Sequence, residues 1–194
     1  KDAELQKFVD KSWGNHRTII EFYKYAAKNN KRQMAIDLLS EISDKDLRDV
    51  SLVVLKDNLD NSVKGKGEIY NAYILNPRVS NEMLRPYKKE LASYFNREQT
   101  KKFRDNPQEL INWVKDSINV NDELNARNIP MDSRSVLKHR ITDSRSRNIF
   151  FVSMARSLGI ASRIDPVTGK VQYIKGNDWI DVKFEENAVE AVPT

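Results

Sequence analysis

The stretch Ser144-Arg145-Ser146-Arg147 stands where Asp143 or Ser144 would begin a strongly apolar helical run, and a helix start is a place where side-chain chemistry is readily assisted. Free backbone N–H groups and the positive end of the helix dipole stabilise an anion or a deprotonated nucleophile held there. Ser144 would hold a hydroxyl at such a place. A hydroxyl, however, needs a general base within hydrogen-bond reach, since a dipole contributing about 0.3 to 1 kcal/mol does not ionise it. The plainer reading of Ser144 is an N-cap contributing about 1 kcal/mol to helix stability. Arg134, Lys138, Arg140, Arg145 and Arg147 crowd the approach and would form an anion-binding rim, although a solvated basic face has the same pattern. Further on, Trp179 beside Tyr173 would floor a ligand groove or pack as core.

What is missing narrows the chemistry. The 194 residues include no cysteine, which removes disulfides, thiolate catalysis and thiolate metal sites together. His16 and His139 are too far apart in sequence to suggest a metal centre, so no metal and no cofactor is expected. A net charge of +5 favours anionic partners without requiring them, and no helix-turn-helix, zinc spacing or aromatic RNA-binding motif points to nucleic acid. No apolar run is long enough to insert in a membrane. The chain opens at Lys1 without a methionine and is expected to be a segment of a longer protein.

Hydrophobic residues at 39% and charged residues at 31% describe a helix-rich globular chain. Leu5, Phe8, Val9 and Trp13 recur at helical spacing, as do Ile19 to Ala27 after Gly14-Asn15, and Met34 to Ile42. Ser43 or Asp44 caps a fourth helix carrying Leu47 to Leu59. The flexible stretch Lys64-Gly65-Lys66-Gly67 marks a boundary, giving a helical bundle over 1–66 and a second unit over 67–194. In that unit Ser80-Asn81-Glu82 would start a helix from Met83 to Phe95, with Pro86 in its first turn, and Asn106-Pro107 would start another through Ile118. The run from Asp143 or Ser144 to Leu158 is apolar around nearly its whole circumference, ends at Gly159, and precedes strand-like stretches at 160–164, 170–175 and 178–184. A buried helix against a small antiparallel sheet makes the fold class α+β.

Ala155-Arg156-Ser157-Leu158-Gly159-Ile160-Ala161-Ser162-Arg163 resembles the "R-x-L-G-I-x-x-R" stretch of the transglutaminase-like superfamily, whose members share a papain-type fold. The likeness covers roughly 107–185, and the run from Asn76-Pro77-Arg78 onward resembles large exported proteins of gut Bacteroidetes. In that family a nucleophilic cysteine opens the central helix, about four turns before the Leu-Gly pair, and a histidine stands two residues before a strand tryptophan. By this resemblance the cysteine position falls on Ser144 and the histidine position on Asn177, before Trp179. Neither residue supplies the family's chemistry, since asparagine takes up no proton near pH 7. An acid normally follows on the next strand, and Asp181, Glu185 and Glu186 are near but out of pattern.

The resemblance implies a pseudoenzyme: a non-catalytic peptide- or glycan-binding or scaffold module of a larger exported, periplasmic or cell-surface protein, with other domains of the same polypeptide as partners. Its binding residues would be Ser144, Arg145, Arg147, Tyr173, Asn177, Asp178 and Trp179. The alternative is a hydrolase or acyl transferase that uses Ser144 or is completed by residues outside this chain. Two geometric expectations follow. Ser144 and Asn177 should approach within a few ångströms of hydrogen-bond reach, and Arg163 should pair with Asp165, Asp178 or Asp181.

Overall fold

In the computed structural model, which describes residues 2–185, five helices open the chain: α1 (Ala3–Ser12), α2 (His16–Lys28), α3 (Arg32–Glu41), α4 (Asp44–Asp49) and α5 (Leu52–Asn61). The expected fourth helix is two. Ser43 caps α4 by accepting from the Asp46 N–H, the backbone is extended at Val50, and Ser51 starts α5 by accepting from the Val54 N–H. Ile19, Phe22, Leu38, Leu39, Leu55 and Leu59 close a core between these helices. After the glycines, α6 (Glu68–Tyr70) runs into a wider π turn, Asn71–Leu75. Tyr70 and Leu75 are buried in that same first core, so Lys64-Gly65-Lys66-Gly67 interrupts the helices while the core continues past it.

A second apolar core begins at Tyr87 and reaches Phe184. The helix expected from Met83 starts later, as α7 (Lys88–Tyr94), with Pro86 upstream of it. Its first N–H groups are held from outside by the Asp57 carboxylate on α5, which accepts from Lys88 N at 2.7 Å and Lys89 N at 3.1 Å. Glu82 instead folds back to accept from the Val79 N–H at 2.7 Å. A reciprocal Asn96–Gln99 capping box opens α8 (Arg97–Asp105), and Pro107 opens α9 (Pro107–Ser117). Then come β1 (Asn119–Val120), α10 (Ser133–His139) and β2 (Ile141–Thr142), β1 and β2 pairing in parallel. The long α11 (Ser144–Ser157) is buried along most of its length, with Phe150, Phe151, Val152 and Met154 all inaccessible. Gly159 follows at φ +89°, and β3 (Ser162–Ile164), β4 (Val171–Lys175) and β5 (Asp178–Asp181) form an antiparallel sheet in sequence order. The architecture is α+β, a helical N-terminal part followed by one buried helix against a small sheet.

Two buried cations join the cores. Arg156, 3% exposed, donates to the carbonyls of Ser162 at 2.9 Å and of Asn76 and Arg78, each at 2.8 Å, and no carboxylate among the described residues takes part. Arg78 in turn pairs with the buried Asp46 through Nε at 2.6 Å and Nη2 at 2.9 Å, a two-pronged contact. Lys88 is wholly buried and donates to the Ile74 carbonyl at 2.7 Å.

Loss of Arg156 leaves three carbonyls without their donor, so Arg156→Met is expected to cost about 3 to 5 kcal/mol in urea unfolding. Lys88 has its ammonium pushed down from 10.5 to about 7, by burial first and by the Arg156 charge second. Between those two values the unfolded chain binds a proton that the folded chain refuses, so the contribution of Lys88 rises with pH across that window. The expected result is that Lys88→Met exceeds the parent chain in stability at pH 7 and loses the advantage by pH 10, measured by urea unfolding at each pH.

Candidate functional site: the start of the buried helix

Asp143 is the residue that caps α11. Its Oδ1 accepts from Ser146 N at 2.8 Å, and its Oδ2 accepts from the Ser146 hydroxyl at 2.7 Å and from Asn125 at 2.9 Å. Ser144, half-buried, is the first helical residue, and its N–H donates to Asp122 Oδ1 at 2.7 Å. The hydrogen bond from the Ser144 backbone, then that from its hydroxyl, holds the Asp122 carboxyl below the ordinary range. Burial pushes the Asp143 carboxyl up, but the hydrogen bonds from Ser146 and Asn125 outweigh it and the net shift is downward. The positive end of the helix thus already faces two carboxylates supplied by the protein itself.

Around it the basic residues do not assemble into a rim. Arg134 folds onto Asp132 at 2.8 Å, and Arg140 lies 4.9 Å over the Trp113 ring while donating to the Leu137 carbonyl at 2.6 Å. Arg145 donates to the Asn128 carbonyl at 3.2 Å and to the Asn81 side chain, and Lys138 is exposed. Arg147 rests 4.3 Å over the Phe184 ring with the Asn148 side chain as its acceptor at 3.3 Å, and burial lowers its guanidinium from the ordinary value. The anion rim expected from sequence is corrected: each arginine is spent on a local partner.

Across from the helix start stands the sheet, and its polarity decides what faces Ser144. The first turn of α11 shares a cleft with the far end of the sheet, lined by Arg147, Asn148, Val171, Val182, Lys183 and Phe184 among others. At the other end of the helix, Arg156 meets Ser162, whose ladder partner is Tyr173. Asn177 lies beyond Tyr173, exposed in the turn between β4 and β5, past Lys175, which ends β4 about 13 Å of strand away from Val171. Ser144 and Asn177 therefore do not meet. The strand residue that lines the cleft with Arg147 and Asn148 is Val171, and the Val182 N–H donates to its carbonyl at 2.8 Å across the ladder. Val171-Gln172-Tyr173 has the same aromatic two residues on as the motif read at Asn177-Asp178-Trp179, which is the signal that would have found it.

The groove of Tyr173 and Trp179 is also corrected. Tyr173 pairs with Ile180 and Trp179 with Ile174, so the two rings lie on opposite faces of the sheet. Tyr173 is buried toward α11, whereas Trp179 packs edge-on against Tyr73 at 4.7 Å. Arg163 completes that outer stack with its guanidinium 4.0 Å over Trp179 and its Nε on Gln172 Oε1 at 3.0 Å. A cation–π contact of about 0.5 to 1 kcal/mol replaces the expected carboxylate pair. Asp181 is taken by Lys170 at 3.3 Å and Gln172 at 2.9 Å. Asp178 and Glu185 are exposed, and Glu186 lies outside the described residues.

The helix start thus presents a hydroxyl beside a carboxylate of low basicity, and the neighbouring cleft is lined by Val171 and Val182 among others. The histidines are elsewhere: the His16 ring sits on the Trp13 carbonyl at 3.0 Å, and His139 is exposed at the end of α10. Asp122 is the functional-site residue that sequence reading missed, since nothing local ties a residue 22 positions upstream to Ser144. Comparison with known proteins gives one finding: a family model described as the transglutaminase-like superfamily matches residues 89–187, just over half of the 194. No curated protein and no solved structure matches.

With no native cysteine, a thiol placed at the helix start titrates alone. Ser144→Cys is expected to show a thiol pKa at or above the usual value of about 8.5, because Asp122 and Asp143 oppose the helix dipole. Adding Asp122→Asn should lower it. The pH dependence of iodoacetamide alkylation measures both.

Proposed function

The chain belongs to the transglutaminase-like superfamily, and from that premise we propose that its domain is non-catalytic, serving as a peptide- or glycan-binding or scaffold module of a larger exported protein. The observation that carries the reading is the pairing of a helix-start serine with an acid that is a weak base, next to a cleft whose strand wall includes Val171 and Val182. Acyl transfer needs a nucleophile, a proton acceptor near neutral pH and an oriented third group, and among the described residues this cleft holds none of that set in reach of Ser144. Next to that serine, from Arg147 and Asn148 to the sheet, lies a cleft of about 570 Å³, large enough for part of a chain ligand. A periplasmic or cell-surface location, with neighbouring domains of the same polypeptide as partners, goes with this reading through the resemblance to exported proteins.

The second reading has a specific observation behind it, the Ser144 hydroxyl beside the Asp122 carboxylate, on which both it and the Ser144 backbone N–H act. Asp122 as base would have to work with a carboxyl already held below its ordinary range, which weakens it as a proton acceptor. Assays of amidase, protease and transamidase turnover on a broad peptide library are expected to show no activity above a heat-killed control. Turnover removed by both Ser144→Ala and Asp122→Asn would establish the hydrolase reading instead.

A further inference from the structure

Beside the middle of α11, between the segment 82–87 and the loop 129–133, lies a cavity of about 180 Å³. Three hydroxyls line it, and they are satisfied within the protein. Tyr87 donates to the Pro77 carbonyl at 3.1 Å, and Ser133 donates to the Ser153 hydroxyl at 3.2 Å. The remaining walls include Met83, Leu84, Ile129, Pro130 and Met131, so what the interior offers a guest is apolar contact. Its size decides the kind of guest. Pockets for whole small molecules run from about 300 Å³ upward, while a dry cavity of about 150 Å³ holds benzene. One ring or one branched aliphatic side chain fits.

The mouth adds charge. The cavity shares Glu82, Met83, Leu84, Arg85, Ile129 and Pro130 with a wider groove of about 570 Å³ that runs on toward Lys45, Asp49 and Arg78. Met83 and Ile129 stand 69% and 61% exposed at this junction, apolar surface that a bound chain would cover. Most of the ionic groups nearby are taken. Glu82 accepts from the Val79 and Ser80 N–H groups, Asp132 is held by Arg134, and Arg78 is held by Asp46. Lys45 and Asp49 are exposed farther along the groove and of opposite sign. The Arg85 side chain, exposed and common to both hollows, makes no hydrogen bond or ion pair among the described residues and feels Asp132 only at longer range. A planar guanidinium of this kind matches a carboxylate with two parallel hydrogen bonds.

We propose that this cavity binds the C-terminal residue of a peptide, the apolar side chain in the hole and the free carboxylate on Arg85. The site is separate from the start of α11, and the proposal stands whether or not Ser144 has any chemistry. Amide NMR titrations of the chain with N-acetyl-L-leucine and N-acetyl-L-phenylalanine, their carboxamides, and N-acetylglycine test it. The acids are expected to shift the signals of Tyr87, Met131 and Ser133, the carboxamides to bind at least tenfold more weakly, and N-acetylglycine to leave those signals unmoved. Arg85→Gln, a change at an exposed position, should bring each acid to the level of its carboxamide and leave the carboxamides unchanged. Equal binding of acid and carboxamide, binding of N-acetylglycine as tight as that of the leucine derivative, insensitivity to Arg85→Gln, or no shift with any probe would each overturn it.

Discussion

The structure depends on how a buried guanidinium is satisfied. Arg156 is buried near the end of a helix without a carboxylate partner among the described residues, and its guanidinium makes three hydrogen bonds to backbone carbonyls. One acceptor is the first residue of the sheet and two belong to the segment joining the helical N-terminal part to the rest. Burial lowers the Arg156 guanidinium from its ordinary value, although arginine stays charged at any physiological pH. The charge then acts on its surroundings, and Lys88 is pushed toward neutrality partly by it. Arg78 carries the connection onward from the same segment to Asp46, so helix, sheet, linker and first bundle share one set of polar contacts. Each is costly to leave unmade, which sets how the two cores sit against one another.

The start of α11 shows the opposite use of charge. A helix terminus that attracts anions is here occupied by the protein's own acids: one as cap, the other reaching in from a turn after β1. The arginines that sequence places around it are stacked on rings or bonded to nearby carbonyls and side chains. A thiolate nucleophile needs a positive field at this point, and the observed field is set by Asp122 and Asp143. A thiol placed at this terminus would therefore meet two carboxylates as well as the helix dipole.

Much of this was legible in the sequence because it is local. The first three helices follow from apolar spacing, the cap of α4 from Ser43, and the buried helix from an apolar run ending at Gly159. The break before α5 was written in Ser51 but masked by a continuous apolar stretch on both sides. Pro86 was read as a first-turn residue because Glu82 looks like capping chemistry, whereas the cap of α7 comes from Asp57, 31 positions earlier. Such long-range caps leave no local trace. The facing residue at the helix start failed for another reason. Two strands of one hairpin each carry an aromatic, and only the ladder register, with Tyr173 opposite Ile180, tells which end of the sheet and which face each aromatic takes.

The parallel pairing of β1 with β2 has one more consequence. Two bonds, from Asn119 N to the Arg140 carbonyl and from Asn121 N to the Thr142 carbonyl, both 2.8 Å, close the base of an excursion that carries Asp122, Ile129 and Met131. Closure entropy grows only with the logarithm of loop length, so doubling such an excursion costs about 0.6 kcal/mol. Its tip, between Asn125 and Met131, can lengthen or change composition while α10 and α11 keep their packing. The fold thus has a place where inserted sequence is tolerated, at the lip of a cavity, and new recognition can be acquired there at little expense to stability.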